Sequence, residues 1–214
     1  MKVELLDYFG NDLMAANVAR VSYGKTKEAF DEKDEKLLKY LVTHNHTSPF
    51  RHSQIQFRIK CAIFVERQLF KHQIGWSANS LSGRYVDFSD SYDIPEQLRY
   101  QSKSSKQGSA GDLSEADNRD FQAKMKELVD AAQKLYREME EFGIAKEQCR
   151  VILPLCLETT FIWTGSFLAF VHLCNLRLKP DAQKETQRVV AEMLRLVKEI
   201  EGNPFKHTIA AFGL

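Results

Sequence analysis

The stretch RQLFKHQIGWSANSLSGRY, residues 67–85, brings cations, hydroxyls, amides and glycines into a short segment. Arg67, Lys71 and Arg84 can make charge-assisted hydrogen bonds, and Gly75 and Gly83 leave neighbouring backbone N–H groups open to close approach. This combination favours a phosphate-bearing ligand. The alternative is a solvated basic helix end that runs into a serine-rich turn. Four apolar residues weaken that alternative, because they anchor the segment on a core: Ile63, Phe64, Leu69 and Phe70.

The residues on the N-terminal side of this stretch predict alternating strands and helices. Ile55, Phe57 and Ile59 alternate with polar neighbours, which predicts a strand over residues 54–60. We also predict a strand over residues 3–9, helices over 12–21 and 27–44, and a helix over 62–71 that enters the basic segment.

The C-terminal part is predicted to be mainly helical. Residues 101–112, QSKSSKQGSAGD, predict a mobile surface loop or a lid. A long helix follows, with a cap at Ser114 and a stop at Gly143, and its apolar stripe is typical of a core or a subunit interface. That stripe comprises Phe121, Met125, Leu128, Ala132, Leu135 and Met139. We then predict a short helix to Arg150, a break at Pro154, an apolar helix over 159–176 and a last helix over 181–200. The sequence predicts one α/β domain over residues 1–214, with more helix than strand.

Overall composition excludes several classes of protein. The net charge of +1 gives no global basic field, so we expect no nucleic-acid partner. No uncharged stretch reaches membrane-spanning length and no signal peptide is evident, so we expect no membrane partner and a cytoplasmic location, in the host cell if the chain is viral. The sequence contains no GxGxxG, Walker-type or GxSxG motif.

Cysteines and histidines do not indicate a metal site. The four cysteines, Cys61, Cys149, Cys156 and Cys174, form no CxxC pair and lie in apolar stretches, which is typical of inert thiols in a reducing compartment. Cys156 has no adjacent base, so we do not expect an activated thiolate. The segment HNHTSPFRH, residues 44–52, has no carboxylate or cysteine to complete a metal shell, and we predict no metal.

Two arginines bracket the apolar segment 150–177. Arg150 and Arg177 suit bidentate recognition of a phosphate or of a pyrimidine edge. The alternative for either arginine is a salt bridge to a nearby acid such as Glu147 or Glu158.

Taken in order and spacing, these segments resemble the flavin-dependent thymidylate synthases, the ThyX family. The family hallmark is an Arg-His-Arg triplet, a spacer and Ser-x-Arg-Tyr, which corresponds here to KHQ at 71–73 and SGRY at 82–85. The HTSPFRH turn, the FVERQLF lead-in and the RVILPL segment ending in NLR match independently. The resemblance implies a single helix-rich domain with a central, mostly antiparallel sheet, assembled as a homotetramer with active sites at subunit interfaces.

The resemblance also implies a reaction and a set of partners. Such enzymes methylate dUMP at C5 to give dTMP. The carbon comes from 5,10-methylenetetrahydrofolate, and FAD reduced by NADPH passes on a hydride. The family uses no cysteine nucleophile.

The resemblance assigns roles to individual residues. It implies that Arg177 grips the pyrimidine and acts in catalysis, with His46 and Tyr85 around substrate and folate. The residues implied to hold FAD are Ser48, Lys71, His72, Gln73 and Asn79. The residues implied to hold dUMP are Gln68, Ser80, Ser82, Gly83, Arg84, Arg150 and Arg177.

The chain departs from the family pattern at several positions. Lys71 and Gln73 replace arginines, the spacer is one residue longer, and Ser80 stands where glutamate is common. The longer spacer and the Lys-His-Gln triplet are similar to a divergent branch with many phage members. Ser166 and Leu168 replace an Asn and an Arg that touch the flavin, and Asp181 replaces a histidine near it. We therefore expect FAD to be held more weakly or differently than is usual in the family.

Alternative functions remain open at this point. They are hydroxymethylation of dUMP, use of dCMP, and an inactive homologue that binds nucleotide or serves in assembly. Five retained residues argue against the inactive homologue: His72, Ser82, Arg84, Arg150 and Arg177.

Overall fold

The computed structural model describes residues 1–85, 91–103 and 108–214. Its strands are β1 (Lys2–Phe9), β2 (Gln54–Ala62), β3 (Trp76–Ser80), β4 (Arg99–Gln101), β5 (Ser109–Asp112) and β6 (Glu158–Ser166). Its helices are α1 (Asp12–Arg20), α2 (Glu32–Thr43), α3 (Ile63–Leu69), α4 (Glu115–Glu141), α5 (Lys146–Cys149), α6 (Phe167–Arg177), α7 (Lys184–Lys198) and α8 (Lys206–Ala211).

Four strands form one sheet in the order β1-β2-β6-β3, and every pairing in it is antiparallel. Ile55, Phe57 and Ile59 point to the core side of β2 and are fully buried, as their alternation predicts. Phe57 packs against Phe170 of α6 with ring centroids 5.9 Å apart. Burial of each such side chain contributes roughly 1.5–3 kcal/mol. The prediction of a mixed fold with a mostly antiparallel sheet is confirmed.

Residues 159–176 do not form the single apolar helix that the sequence predicts. They divide into β6, which lies between β2 and β3, and α6. A short run of apolar residues cannot distinguish a buried strand from a buried helix, and this central strand is flanked by partners on both sides. Ser166 marks the change, because its side chain accepts a hydrogen bond from the Ala169 N–H and caps α6.

Residues 76–80 form β3, a strand that the sequence analysis does not predict. Trp76 pairs with Gly165 and Ser80 with Phe161 across β3 and β6. Four of the five β3 residues are exposed, so the segment lacks the apolar alternation by which strands are recognised. Pairing with β6 supplies the stabilisation instead.

Several predicted boundaries also shift. α2 begins at Glu32 rather than at residue 27, because Asp31 and Asp34 form a capping box. α7 covers Lys184–Lys198 and leaves Asp181 in the preceding turn. The prediction of a loop over 101–112 is wrong at both ends, where β4 and β5 pair as a hairpin, while residues 104–107 lie outside the described part.

The long helix α4 confirms its prediction. Ser114 caps it by accepting a hydrogen bond from the Asp117 N–H at 3.2 Å. It ends at Glu141, and Gly143 follows with φ of 93°. Phe121, Leu128 and Leu135 of its apolar stripe remain exposed in the single chain. Within the described residues, no helix is long and apolar enough to cross a membrane.

Candidate active site

The guanidinium group of Arg177 joins the ends of two helices. Arg177 is the last residue of α6, and its Nε donates a hydrogen bond to Nε2 of His72 at 3.0 Å. Its Nη2 donates to the backbone carbonyl of Gln68 in α3 at 3.4 Å. These contacts bridge 105 and 109 positions of sequence, and they bring together three of the predicted site residues.

His72 is held in its neutral form by this contact. An arginine Nε can only donate, so Nε2 of His72 accepts and the ring proton lies on Nδ1. Burial lowers the pKa of His72, and the positive charge of Arg177 and the nearby His172 lower it further. The imidazole therefore stays uncharged at neutral pH and leaves the positive charge of the site on Arg177.

Gln68 is fixed from its other side by α7. Its Oε1 accepts a hydrogen bond from the hydroxyl of the buried Thr186 at 3.1 Å, and its Nε2 donates to Oε1 of Gln183. Thr186 and Gln183 thus orient Gln68, which is predicted to bind dUMP. The sequence analysis assigns no role to either residue. The one available signal was the polar run QKETQ at the start of the last helix.

An open cleft of about 950 Å³ lies next to this cluster. Gln68 and Arg177 line it together with the α6–α7 turn and the β4–β5 hairpin. Arg99 of β4 pairs with Glu185 of α7 at 2.7 Å and donates to the Ser109 hydroxyl at 3.0 Å, which ties the hairpin to the cleft wall. Burial raises the pKa of Glu185, but the hydrogen bonds that its carboxylate accepts from Arg99, Gln183 and the backbone, together with the charge of Arg99, lower it overall.

Two tryptophans fix β3 on the sheet. Trp76 stacks on Trp163 of β6 with ring centroids 4.0 Å apart. The stack needs Gly165, because a Cβ at that position would lie 2.3 Å from the Trp76 ring. Nε1 of Trp76 is buried and has no acceptor among the described residues. The Trp76–Trp163 stack therefore anchors the start of β3, and one buried donor stays unsatisfied.

The side chain of Ser80 forms a hydrogen bond within the chain. Its hydroxyl donates to Oε1 of Glu66 in α3 at 2.8 Å. Sequence reasoning proposed Ser80 as a dUMP ligand and gave no role to Glu66.

Most of the other predicted site residues lie at the surface of the single chain. Within the described ranges, no hydrogen bond, ion pair or ring contact joins them to the Arg177 cluster. Ser82 is half-buried and Gly83 is buried, while Arg84 lies over the exposed ring of Tyr85 at 5.5 Å. The remaining ones are exposed: His46, Ser48, Lys71, Gln73, Asn79 and Arg150.

Among the described residues, neither Arg150 nor Arg177 forms the alternative salt bridge to Glu147 or Glu158. Glu158 instead pairs with the amino group of Met1 at 2.9 Å and with Lys60 at 3.2 Å. Arg177 makes its contacts with His72 and Gln68, so the charge of this guanidinium is not neutralised by that acid.

A family model described as "Thymidylate synthase complementing protein" matches residues 4–201. A protein named flavin-dependent thymidylate synthase from Kosmotoga olearia is 37% identical over 196 residues, which cover 92% of this chain and 84% of the relative. One of the same name from Thermus thermophilus is 38% identical over 197 residues, 92% of this chain and 71% of the relative. The chain belongs to the flavin-dependent thymidylate synthase family. The resemblance drawn from its motifs is confirmed.

Solved structures agree with this membership in the family. The UMP/dUMP methylase PolB from Streptomyces cacaoi, bound with 5-Br dUMP, superposes with a TM-score of 0.88 at 27% identity. The alignment covers 99% of this chain and 94% of PolB. The complex of PolB with 5-Br UMP gives a TM-score of 0.86 at 26% identity. The whole chain therefore shares its fold with a structure of this kind.

None of the four cysteines of this family member is suited to act as a nucleophile. Burial raises the pKa of Cys61 and of Cys174 to about 12. Cys149 is buried and donates to the carbonyl of Ile144, and burial also raises the pKa of Cys156. Since the thiolate is the reactive form, burial disfavours a nucleophilic role for Cys61, Cys156 and Cys174.

Leu168 and Ser166 have internal roles in this chain. Leu168 is buried in a cluster with Phe50, Leu38 and Leu41, and Ser166 caps α6. Both side chains are buried in the single chain. The two departures from the family pattern on this helix are therefore accommodated by packing.

Proposed function

We propose that this protein methylates dUMP at C5 to form dTMP, with 5,10-methylenetetrahydrofolate as the carbon donor and FAD reduced by NADPH as the hydride donor. Membership in the flavin-dependent thymidylate synthase family supports the reaction, and so does the similarity to a structure titled UMP/dUMP methylase. Residues 1–214 form one catalytic domain in this proposal, and the enzyme works in the cytoplasm.

The Arg177–His72 contact carries the proposal. Two of the guanidinium nitrogens of Arg177 are used by His72 and Gln68, so the group is fixed while its Nη1 stays available to a ligand. A fixed cation beside the pyrimidine stabilises the negative charge that builds up on the ring as C5 becomes nucleophilic. Because His72 is neutral, it orients the guanidinium without competing for that charge.

The inert cysteines support the same route. A synthase that activates the pyrimidine by covalent attack needs a thiolate, and burial raises the pKa of Cys61, Cys156 and Cys174. Electrostatic activation by Arg177 requires no such nucleophile. His46 and Tyr85 complete the catalytic set around substrate and folate in this proposal.

The phosphate of dUMP is assigned to donors in the turn after β3 and to Arg150, which follows α5. Arg84 and Arg150 are exposed guanidinium groups that can bind it bidentately. Ser82 adds its hydroxyl group, and Gly83 adds its backbone N–H. Gln68 and Ser80 complete the dUMP-binding set, and their contacts with Thr186 and Glu66 hold them in place.

The segment KHQIGW, residues 71–76, carries hydrogen-bond donors that suit FAD. Lys71 and Gln73 are exposed donors, and the buried indole N–H of Trp76 is left without an acceptor. A flavin nucleotide is rich in acceptors, both in its phosphates and on its ring. We assign FAD to Ser48, Lys71, His72, Gln73 and Asn79. When bound, FAD supplies the hydride, and the role of the chain is to position it against the pyrimidine.

We also infer a homotetramer with active sites at subunit interfaces. The exposed apolar stripe of α4 supports this, because Leu128 is 68% exposed and Phe121 50% exposed in the single chain. The proposed site residues are spread over the surface of one chain, and residues from neighbouring copies can complete each site.

A second candidate is methylation of UMP alongside dUMP. It is favoured by the fold shared with PolB, which is titled a UMP/dUMP methylase and has been solved with both brominated nucleotides.

Mass spectrometry of the nucleotide product tests these proposals. The protein is incubated with dUMP or UMP, 5,10-methylenetetrahydrofolate, FAD and NADPH. A dTMP product from dUMP supports the main proposal, and a methylated product from UMP supports the second candidate. A hydroxymethylated product, or product from dCMP in a parallel reaction, would move the chain to the alternatives that the sequence leaves open.

A further inference from the structure

Glu66 places a carboxyl group beside Ser80, one of the residues proposed to bind the nucleotide. It lies on α3, and its Oε1 accepts a hydrogen bond from Ser80 of β3 at 2.8 Å. Among the described residues no lysine, arginine or histidine forms an ion pair with Glu66. The positive charge of Arg67 lowers the pKa of Glu66, but the two side chains form no ion pair.

This environment is unfavourable for a carboxylate that only stabilises the fold. Glu66 is half-buried, and burial raises its pKa, while the Ser80 hydrogen bond and the charge of Arg67 lower it in part. Ser80 supplies one hydrogen bond but no ion pair, and carboxyl groups with such perturbed pKa values concentrate at functional sites.

Ser80 presents this carboxyl group to the surface. A hydroxyl has one proton, and that of Ser80 is donated to Glu66. Ser80 is exposed and Glu66 is half-buried, and among the described residues Oε2 of Glu66 makes no hydrogen bond. This oxygen is the acceptor that the pair can offer to a nucleotide.

We propose that Glu66 is a dUMP-binding residue that accepts a hydrogen bond from the nucleoside part of the substrate, an inference that rests on the proposed function. A carboxylate can only accept, and it repels the phosphate. Apart from its phosphate, dUMP has two donors, the 3′-hydroxyl of the sugar and N3–H of the base. Ser80 precedes Ser82 by two residues, so its hydrogen bond to Glu66 brings the carboxyl group close to the turn assigned to dUMP.

The competing explanation is that the Ser80–Glu66 hydrogen bond merely ties β3 to α3. Glu66→Gln distinguishes this structural role from dUMP binding. The amide oxygen of glutamine still accepts the hydrogen bond from Ser80, while the negative charge is lost. Glu127→Gln is the matched control, since Glu127 is exposed on α4, outside the proposed site.

The test is calorimetric titration of the assembled, flavin-loaded protein with dUMP, with 2′,3′-dideoxyuridine monophosphate and with dCMP. The first analogue lacks the sugar hydroxyl, and dCMP lacks N3–H. We expect Glu66→Gln to weaken dUMP binding by about 10-fold or more, as for loss of a hydrogen bond to a charged group, and Glu127→Gln to leave it unchanged.

The two analogues identify the donor. The native protein should discriminate against the analogue that lacks the donor, and Glu66→Gln should lose most of that discrimination. If Glu66→Gln no longer discriminates against the dideoxy analogue, Glu66 contacts the sugar hydroxyl. If it no longer discriminates against dCMP, Glu66 contacts N3–H of the base.

Three results would overturn the inference. Unchanged dUMP affinity in Glu66→Gln would leave only the structural tie. Weaker dUMP binding with discrimination against both analogues intact would show that Glu66 acts without touching the nucleoside. Absence of dUMP binding by the native protein would remove the proposed function as well, so the two failures are distinguishable.

Discussion

Nε of Arg177 donates a hydrogen bond to Nε2 of His72 at 3.0 Å and thereby links the C-terminal end of α6 to the turn after α3. The contact requires a neutral imidazole, because a protonated ring has no lone pair to offer. Arg177 is thus a fixed cation in the site, and the orientation of its guanidinium group depends on the protonation state of His72.

The pKa of His72 should respond to Arg177. Burial and the Arg177 charge both lower the pKa of His72, so Arg177→Ala is expected to raise it towards the ordinary value. NMR titration of the His72 ring in the native protein and in the variant measures the change. An equal or lower pKa in Arg177→Ala would contradict the contact.

Stability should fall as the pH drops through the unfolded-state pKa of histidine. The unfolded chain gains a proton near pH 6.5, whereas folded His72 resists protonation, so the unfolded state binds more protons as the pH falls. His72→Gln keeps an acceptor that cannot titrate and should remove this component. Denaturant unfolding of both proteins at pH 7.5 and 5.5 measures it, and identical pH dependence would argue against the assignment.

Gly165→Ala should displace β3 from the sheet. The new Cβ would lie 2.3 Å from the Trp76 ring, which is stacked on Trp163. We expect a loss of about 1–3 kcal/mol in the free energy of unfolding and a changed tryptophan fluorescence spectrum. Gly111→Ala is the control, since nothing lies within 4 Å of its added Cβ. Equal stability of the two variants would show that the stack tolerates the methyl group.

Leu128→Glu should weaken the proposed assembly. Leu128 is 68% exposed on the apolar stripe of α4, and a carboxylate buried in an interface is costly. Light scattering after size exclusion should show smaller species for Leu128→Glu and an unchanged mass for Lys126→Glu, which alters a neighbouring exposed residue of the same helix. A native mass retained by Leu128→Glu would exclude this face from the interface.

The sequence predicts those parts of the fold whose residues have a local periodicity. Ile55, Phe57 and Ile59 mark β2 by alternation, and the stripe and the Ser114 cap mark α4. β3 has no such signal, because its stability comes from Trp76 packing on Trp163, a residue 87 positions away. The apolar run that contains β6 and α6 is ambiguous by composition alone, and the position of β6 between two strands decides it.

The candidate site was predictable only in part. The motif resemblance selects His72, Gln68 and Arg177, but it does not indicate that their side chains are in direct contact. Thr186 and Glu66 have ordinary sequence surroundings, and their roles depend on contacts with Gln68 and Ser80 that only the tertiary structure creates.

The central claim is that Arg177 activates dUMP for methylation. Formation of dTMP from dUMP, 5,10-methylenetetrahydrofolate, FAD and NADPH should be followed by mass spectrometry in the native protein and in Arg177→Ala. Calorimetry with dUMP and light scattering serve as controls for binding and assembly. We predict dTMP from the native protein and a rate lower by about 10²-fold or more in an intact, assembled Arg177→Ala variant. A near-native rate in that variant, or a native product other than dTMP, would contradict the account.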